Sequence, residues 1–284
     1  MKIYAGISNE GRAGSPLPAG LSDDAGAHGV TRPASAFTMV EVAISLAIIG
    51  IALVGIIGTL PIGLHAQRDN RENTVIAQDA TVFTEAISKG ASGANDLTNY
   101  VFLITNSWTL FDSAGAVKNT GGNSYTYNAA SAYGTPVPFM EITNGGNIVG
   151  LLSTPEYTDS TNFNPINNIF SGGYSNHVVA YVRSISGPAV EKPPQDNPLL
   201  QQDSFSYRVF CVNAPVAAAG PNSSLQANLH ELRLTFEWPQ QPNGGVGSGR
   251  ATYRALIAGR QMTTNFVAGN YLYFYQPQSF TSTP

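Results

Sequence analysis

The chain has 284 residues, of which 43% are hydrophobic and only 11% are charged, whereas about a quarter is usual in soluble proteins. Its net charge is −4 and no basic block occurs, which excludes the electrostatic footprint of a nucleic-acid-binding protein. The single cysteine, Cys211, excludes an intrachain disulfide and any cysteine-based metal cluster.

Residues 1–36 are rich in Gly, Ala, Ser and Pro and carry charges of both signs. Such a segment is too polar to bury a core, so we predict a disordered leader. An ordinary secretory signal fits poorly, because the apolar run that follows is about twice the length of a signal h-region and lacks an A-x-A exit.

A long apolar run follows the leader. Residues 42–64 contain no charged side chain, and Glu41 is the only charged residue between Arg32 and Arg68. As a helix this run covers roughly 35 Å, which exceeds the roughly 30 Å of a bilayer's hydrocarbon core. We therefore predict a membrane span over about residues 40–64. A carboxylate inside a span costs about 2.5–3.5 kcal/mol, so Glu41 either lies at the interface or has a partner.

Two further features mark the predicted span. Small residues recur every three or four positions and form a narrow face, which allows helices to approach closely, although Gly and Ala are also simply common in spanning helices. These residues are Ala43, Ala47, Gly50, Val54 and Gly58. Pro61 lacks the N–H that would bond the carbonyl of Ile57, so we expect a kink there.

The helix is predicted to continue as an amphipathic second half. An apolar stripe with spacings of four, three and four residues is expected to lie on a sheet. It consists of Ile76, Ala80, Phe83 and Ile87. The charged residues are expected to face water: Arg68, Asp69, Arg71, Glu72 and Asp79. Gly90 is placed as the residue that ends the helix, so the helical segment is residues 37–90.

Residues 91–284 read as a β-rich head. Apolar or alternating segments predict strands at 100–105, 108–111, 177–185, 205–212, 232–238, 250–257 and 271–275. Turns are expected at 119–124 and 144–147, an exposed region at 112–175, a stiff Pro-rich connector at 187–198, and a hairpin loop at 239–249. The expected fold class is α+β, with the long N-terminal helix packed on an antiparallel β-sheet.

The sequence contains no recognisable catalytic arrangement of residues. None of the four histidines has a second ligand at metal spacing, and His230–Glu231 is interpreted as a surface pair. The glycine-rich run 244–249 leads into a strand, so it is a hairpin loop rather than a phosphate loop. A calcium site formed by the loop carboxylates of Asp159, Asp196 and Asp203 stays open as a weaker alternative. We predict no enzyme, no catalytic residue, no cofactor and no metal.

The six residues Ala36-Phe37-Thr38-Met39-Val40-Glu41 resemble the N-terminal processing and methylation motif of type IV prepilins and type II secretion pseudopilins. In that family a small residue, usually Gly, precedes the cut, an aromatic residue begins the mature chain, and Glu is its fifth residue. Here these are Ala36, Phe37 and Glu41, with Ala36 in place of the usual Gly. The close match covers about 30 residues, and residues 40–50 resemble minor pilins and minor pseudopilins in particular.

The resemblance implies a pilin-like fold and a subunit of a type IV pilus-like or type II secretion filament. A prepilin peptidase/methyltransferase would cut between Ala36 and Phe37 and methylate Phe37, and Glu41 would neutralise the new amino group, on its own chain or on a neighbour. Further partners would be other pilin or pseudopilin subunits and an inner-membrane assembly platform. The leader would be cytoplasmic and the head periplasmic, on a single-pass protein of the bacterial inner membrane that enters an extracellular or periplasmic filament.

A second hypothesis stays open beside the filament. The chain could be an uncleaved, membrane-anchored binding module whose head recognises an envelope glycan or protein. Tyr271, Tyr273 and Tyr275 could serve such binding, and they could equally pack the sheet. The two hypotheses differ in whether the leader is removed.

Overall fold

The computed structural model describes residues 37–90, 95–127, 139–169, 172–186, 205–216, 223–241, 244–267 and 269–280. The leader of residues 1–36, with Ala36, and the Pro-rich connector of residues 187–198 lie outside this described part. The chain divides into two compact units, Met1–Leu60 and Pro61–Pro284.

A single helix, α1, runs from Met39 to Ser88 and continues through Pro61 without interruption. Every residue from 37 to 71 is exposed. The helix is long and apolar enough to cross a membrane. Gly90 follows it with a φ of +67°, and its N–H bonds the carbonyl of Ile87 at 3.2 Å, which confirms its predicted place at the helix end. The kink at Pro61 stays a prediction.

The second half of α1 buries one face against the head. The predicted stripe of Ile76, Ala80, Phe83 and Ile87 is confirmed, with each side chain at most 2% exposed. The ring of Phe83 lies 6.4 Å from that of Phe236, centroid to centroid. Burying a large apolar side chain contributes about 1.5–3 kcal/mol, so burial of this stripe stabilises the packing of the helix on the sheet.

The described part of the head contains ten strands. They are β1 (Val101–Phe111), β2 (Val117–Thr126), β3 (Phe139–Glu141), β4 (Tyr157–Thr158), β5 (Gly173–Arg183), β6 (Ser206–Pro215), β7 (Leu229–Gln240), β8 (Val246–Ala258), β9 (Arg260–Asn265) and β10 (Tyr271–Gln276). Short helices are the 3₁₀ turn Asn95–Asn99, α2 (Gly145–Leu152) and α3 (Ser223–Asn228).

The strands form two sheets. The larger has the order β3-β2-β1-β5-β6-β7-β8, with β4 also paired to β5, and the smaller pairs β9 with β10. Each pairing is antiparallel except that of β2 with β3, and β8 forms one edge of the large sheet. The α+β class is thus confirmed, and the expected hairpin is β7–β8.

Alternation along the central strands supplies the core. In β6, Tyr207, Val209 and Cys211 are at most 4% exposed, so Cys211 packs as a small buried side chain as expected. In β7 the inward residues are Leu232, Leu234, Phe236 and Trp238. These side chains belong to the same core cluster as the α1 stripe and α2. Period-two alternation makes this face readable from the sequence.

Two turn predictions are wrong in an instructive way. The expected turn at 119–124 lies inside β2, where Gly121 pairs with Trp108 of β1. A Cβ at Gly121 would overlap the Trp108 ring, so the glycine makes room for an aromatic side chain rather than turning the chain. The expected turn at 144–147 begins α2, because the Asn144 side chain caps it by accepting from the N–H of Asn147 at 2.9 Å.

The region of residues 112–175 is also less exposed than predicted. Three side chains of α2, Ile148, Val149 and Leu152, are at most 1% exposed. The apolar run 148–152 is short, and the preceding Asn-Gly-Gly sequence is typical of a turn, which is why the local pattern did not indicate a buried helix.

Candidate functional site

The first candidate site is the start of α1, where Thr38 and Glu41 form a reciprocal cap. The N–H and the hydroxyl of Thr38 donate to Oε2 of Glu41 at 2.8 and 2.9 Å, and the N–H of Glu41 donates to the Thr38 hydroxyl at 3.3 Å. This is the S/T-x-x-E capping box, which satisfies backbone donors that a helix start leaves unpaired. Sequence reasoning missed this second role of Glu41, although the Thr38–Glu41 spacing indicates it.

The other motif residues are placed only in part. Phe37 is 82% exposed directly before the cap, and Ala36 lies outside the described residues. The negative carboxylate of Glu41 is also in the first helical turn, where the helix dipole favours an anion. The arrangement therefore places an acid four residues from the end that cleavage at Ala36–Phe37 would create.

Two hydroxyl groups in the apolar part of α1 are hydrogen-bonded to the backbone of the helix itself. The hydroxyl of Ser45 donates to the carbonyl of Glu41 at 2.7 Å, and that of Thr59 donates to the carbonyl of Gly55 at 3.1 Å. Hydroxyls bonded back to the helix backbone are compatible with a lipid environment, which offers no water as a partner. A Cβ built at Gly50 or Gly58 meets no described atom within 4 Å, so this small-residue face is open.

Asp79 is the clearest disagreement between sequence and structure in α1. It was expected to face water, but it is 0% exposed and lies in the helix–sheet interface. Its Oδ2 accepts from the Tyr207 hydroxyl at 2.7 Å and from the N–H of Ile185 at 3.0 Å, and its Oδ1 accepts from the N–H of Ser186 at 2.9 Å. Position 79 is three residues after Ile76 and four before Phe83, so helical spacing could have placed it on the buried face.

The environment of Asp79 has opposing effects on its proton. Burial raises the pKa of Asp79 above its ordinary value, while the hydrogen bonds from Ser186, Tyr207 and Ile185 hold that rise back. Tyr207 is fully buried beside it, and burial together with the neighbouring carboxylate raises the pKa of the Tyr207 hydroxyl well above its usual range. Tyr207 is therefore the proton donor of the pair.

A second polar cluster lies under β10. The Tyr275 hydroxyl donates to the Asn213 amide oxygen, and the Asn213 and Gln261 amides donate to the carbonyl of Ser153 at 2.8 and 2.6 Å. His230 is 3% exposed, with its ring 5.2 Å from that of Tyr275. Its interpretation as a surface residue is wrong, because the alternation of β7 turns it inward together with Leu232. Burial lowers the pKa of His230.

The third candidate is a cavity of about 260 Å³ in the head. It lies where β1, β2, β5 and β10 meet the loop 159–164, and its lining combines aromatic rings with side-chain amides. Of the three tyrosines proposed for binding, Tyr271 and Tyr273 line it, while Tyr275 belongs to the buried cluster and packs the core.

Asp159 organises the loop beside the cavity. Its Oδ1 accepts from the N–H groups of Thr161 and Asn162 at 2.7 and 2.6 Å, and its Oδ2 accepts from that of Asn164 at 3.0 Å. Desolvation raises the pKa of Asp159, but the N–H groups of Asn162, Thr161 and Asn164 outweigh it and lower the pKa overall. Both carboxylate oxygens therefore already accept hydrogen bonds from the backbone of the loop.

Among the described residues no group of three His, Cys, Asp or Glu side chains could hold a metal ion. Asp196 and Asp203, the other two residues of the calcium alternative, lie outside the described part.

Comparison with protein-family models, with curated proteins and with solved structures finds no match to this chain.

Proposed function

We propose that this chain is a pilin- or pseudopilin-like structural subunit of a type IV pilus-like or type II secretion filament, anchored in the bacterial inner membrane before assembly. The observation that carries the proposal is the sequence motif from Ala36 to Glu41, whose described residues, Phe37 to Glu41, lie at the start of a 50-residue helix. The wholly exposed apolar segment of that helix and its amphipathic continuation on a β-sheet support the same assignment.

Processing would create the positively charged partner that the Glu41 carboxylate lacks. Cleavage between Ala36 and Phe37 frees an amino group, which remains positively charged when it is methylated. A buried carboxylate is costly unless it is paired, so an ammonium group on the same or a neighbouring chain offsets the cost of burying Glu41 among apolar helices. The capping box holds this carboxylate at the helix start through hydrogen bonds to Oε2.

Assembly follows from the exposed apolar helix. A repeated rotation and rise brings the same contacts together on each new subunit and generates an open helical filament. The apolar half of α1 would form the core and the β-head the outer layer. The peptidase/methyltransferase and an inner-membrane assembly platform are the partners this route requires, with the leader cytoplasmic and the head periplasmic.

The experiment that tests the proposal is N-terminal sequencing, with intact-mass measurement, of the protein recovered from its native membrane. A mature chain that begins with methylated Phe37 supports the filament subunit. A chain that retains residues 1–36 overturns it and favours the alternative of an uncleaved, membrane-anchored binding module. The observation that favours this alternative is the aromatic and amide-lined cavity of the head.

A further inference from the structure

The head cavity has a lining that points to one class of ligand. Its volume of about 260 Å³ lies just below the range of about 300–1,000 Å³ that is usual for sites of drug-sized ligands. The space therefore suits one small ring. None of the described residues that line it is charged, so the site offers no counter-ion to an ionic ligand.

One wall of the cavity is aromatic. The ring of Phe163 stacks on those of Tyr271 and Tyr174, with centroid distances of 4.6 and 5.4 Å, and Tyr174 meets Trp108 edge to face at 5.4 Å. Each of these four side chains is only half-buried. Aromatic surface left partly exposed beside a concave space is typical of a binding site rather than of a closed core.

The loop that carries Phe163 is held in an unusual conformation. Phe163 has a φ of +56°, which non-glycine residues adopt only at a cost, and its carbonyl accepts the hydroxyl of Tyr273 at 2.8 Å. Asp159 fixes the same loop through its three backbone hydrogen bonds. Strain of this kind persists where the surrounding structure imposes it, and ligand clamps are a common place for it.

The other wall consists of amides that hold one another in place. The Asn106 amide donates to Asn176 Oδ1 at 3.3 Å, and the Asn176 amide donates to the carbonyl of Pro155 at 3.1 Å. A second pair of lining amides is joined in the same way, since the Asn123 amide donates to Asn270 Oδ1 at 2.7 Å. Amides fixed in this way are pre-organised for a ligand, which lowers the entropy cost of binding.

Asn106 supplies the sharpest single indication. Its Oδ1 is buried, and in the described part of the chain it has no hydrogen-bond partner. A buried acceptor without a partner costs about 1–3 kcal/mol. Asn106 also lines the cavity, so a small rotation of its side chain would bring this acceptor to a ligand hydroxyl and remove the cost.

We propose that this cavity binds one neutral hexopyranose unit, either as a free sugar or as the end of a glycan chain. The C–H face of a pyranose ring is apolar and matches an aromatic wall, while its hydroxyls both donate and accept and therefore match amide groups. A charged ligand is disfavoured by the neutral lining. The inference goes beyond the filament proposal and does not depend on it.

The test uses the full chain in a zwitterionic detergent, because detergents with sugar head groups would compete for the site. Saturation-transfer NMR and the fluorescence of Trp108 would follow titration with glucose, galactose, mannose, N-acetylglucosamine and their β-linked disaccharides. Trp238 is 4% exposed and does not line the cavity, so it should add a constant background to the signal. Binding of at least one of these sugars is expected, and no binding of any at 20 mM overturns the proposal. Tighter binding of the disaccharides would identify a glycan end, and equal binding a free sugar.

Variants locate the site. Tyr271→Ala and Asn106→Leu are expected to weaken binding at least tenfold, which corresponds to about 1.4 kcal/mol. The matched controls are Tyr181→Ala, a half-buried aromatic of β5, and Asn119→Leu, an exposed amide of β2, neither of which lines the cavity. Equal loss in the controls, or no loss in the two site variants, overturns the proposal.

Two further measurements keep the test decisive if Tyr271→Ala does not fold. Tyr271→Phe keeps the ring, so it should bind within about threefold of the wild type. Glucuronate has the same ring with a carboxylate, and it should bind more weakly than glucose because no cation lines the cavity. Glucuronate binding as tight as that of glucose would contradict the assignment to a neutral sugar.

Discussion

The hydroxyl of Tyr207 donates to Oδ2 of Asp79 at 2.7 Å, and both side chains are 0% exposed. The bond joins the second half of α1 to β6, in the middle of the apolar stripe that packs on the sheet. The N–H groups of Ile185 and Ser186 donate to the same carboxylate. An ionised carboxylate only accepts hydrogen bonds, so these three donors match its chemistry.

We predict that Tyr207→Phe lowers the free energy of unfolding by about 1.5–3 kcal/mol at pH 7, the usual contribution of a hydrogen bond to a charged group. Chemical denaturation of the full chain in detergent measures it. Tyr181→Phe is the matched control on β5, where a half-buried tyrosine should change stability by less than about 0.5 kcal/mol. Equal stability of Tyr207→Phe and the wild type would show that the bond contributes nothing.

The same pair predicts a pH dependence. Burial raises the pKa of Asp79 in the folded chain above its unfolded value near 3.8, so the folded state holds the proton to a higher pH. The unfolding free energy contributed by this group therefore falls as pH rises from about 3.8 through the folded pKa, and is constant above it. Tyr207→Phe removes a bond to the charged form, so its cost should shrink on acidification to pH 3.

A double variant isolates the group responsible for this pH effect. In an Asp79→Asn background position 79 no longer titrates, and the cost of Tyr207→Phe should be the same at pH 3 and pH 7. Denaturation curves of the four proteins at both pH values form the cycle. A pH-dependent cost that persists without Asp79 would assign the effect to another group.

The two roles of Glu41 can be separated by one substitution, on the premise of the proposed filament. Glutamine still accepts the Thr38 hydrogen bonds and keeps the capping box, but it carries no charge. We predict that Glu41→Gln is cleaved and methylated at Phe37, yet enters the filament at least tenfold less than the wild type. The readouts are the intact mass of membrane protein and the amount in sheared filaments. Thr38→Val, which removes the hydroxyl from the cap, is the control and should assemble; normal assembly of Glu41→Gln would reduce Glu41 to a capping residue.

We predict that adding a single methyl group at Gly121 lowers the stability of the fold. A Cβ there would overlap the ring of Trp108, so Gly121→Ala should cost about 1–3 kcal/mol of stability. Gly122→Ala is the neighbouring control, because the nearest atom to its Cβ would be 3.5 Å away. Thermal unfolding of each variant measures the difference. In a Trp108→Ala background the cost of Gly121→Ala should largely vanish, and a cost that persists there would point to backbone strain instead.

What the sequence could predict is the part of the fold that depends on local periodicity. The stripe from Ile76 to Ile87 and the alternation of β6 and β7 are repeated patterns within one element, so they indicate the buried faces directly. Asp79 and His230 were misplaced because their charge or polarity suggested exposure, while the positions that the helix and the strand assign to them are inward.

The head cavity depends on contacts that no local pattern contains. The Tyr273 hydroxyl reaches the carbonyl of Phe163 across 110 residues of sequence, and Asn123 reaches Asn270 across 147. Phe163 lies in a polar loop and gave no strand or helix signal. The aromatic segment of β10 was noted in the sequence, but only the sheet pairing separates Tyr271, at the cavity, from Tyr275, in the core.

The position of β8 at the edge of the large sheet affects whether strands of other molecules can pair with it. An unpaired edge exposes backbone donors and acceptors that can recruit a strand from another molecule, which is a route to aggregation. On β8 the side chains of Arg250 and Arg254 are 69% and 68% exposed, and their guanidinium groups lie 3.7 and 3.8 Å from Glu237 and Glu231 of β7. Long charged side chains along an edge hinder the addition of another strand. Among the described residues, the β8 edge is therefore protected from pairing with a strand of a second head.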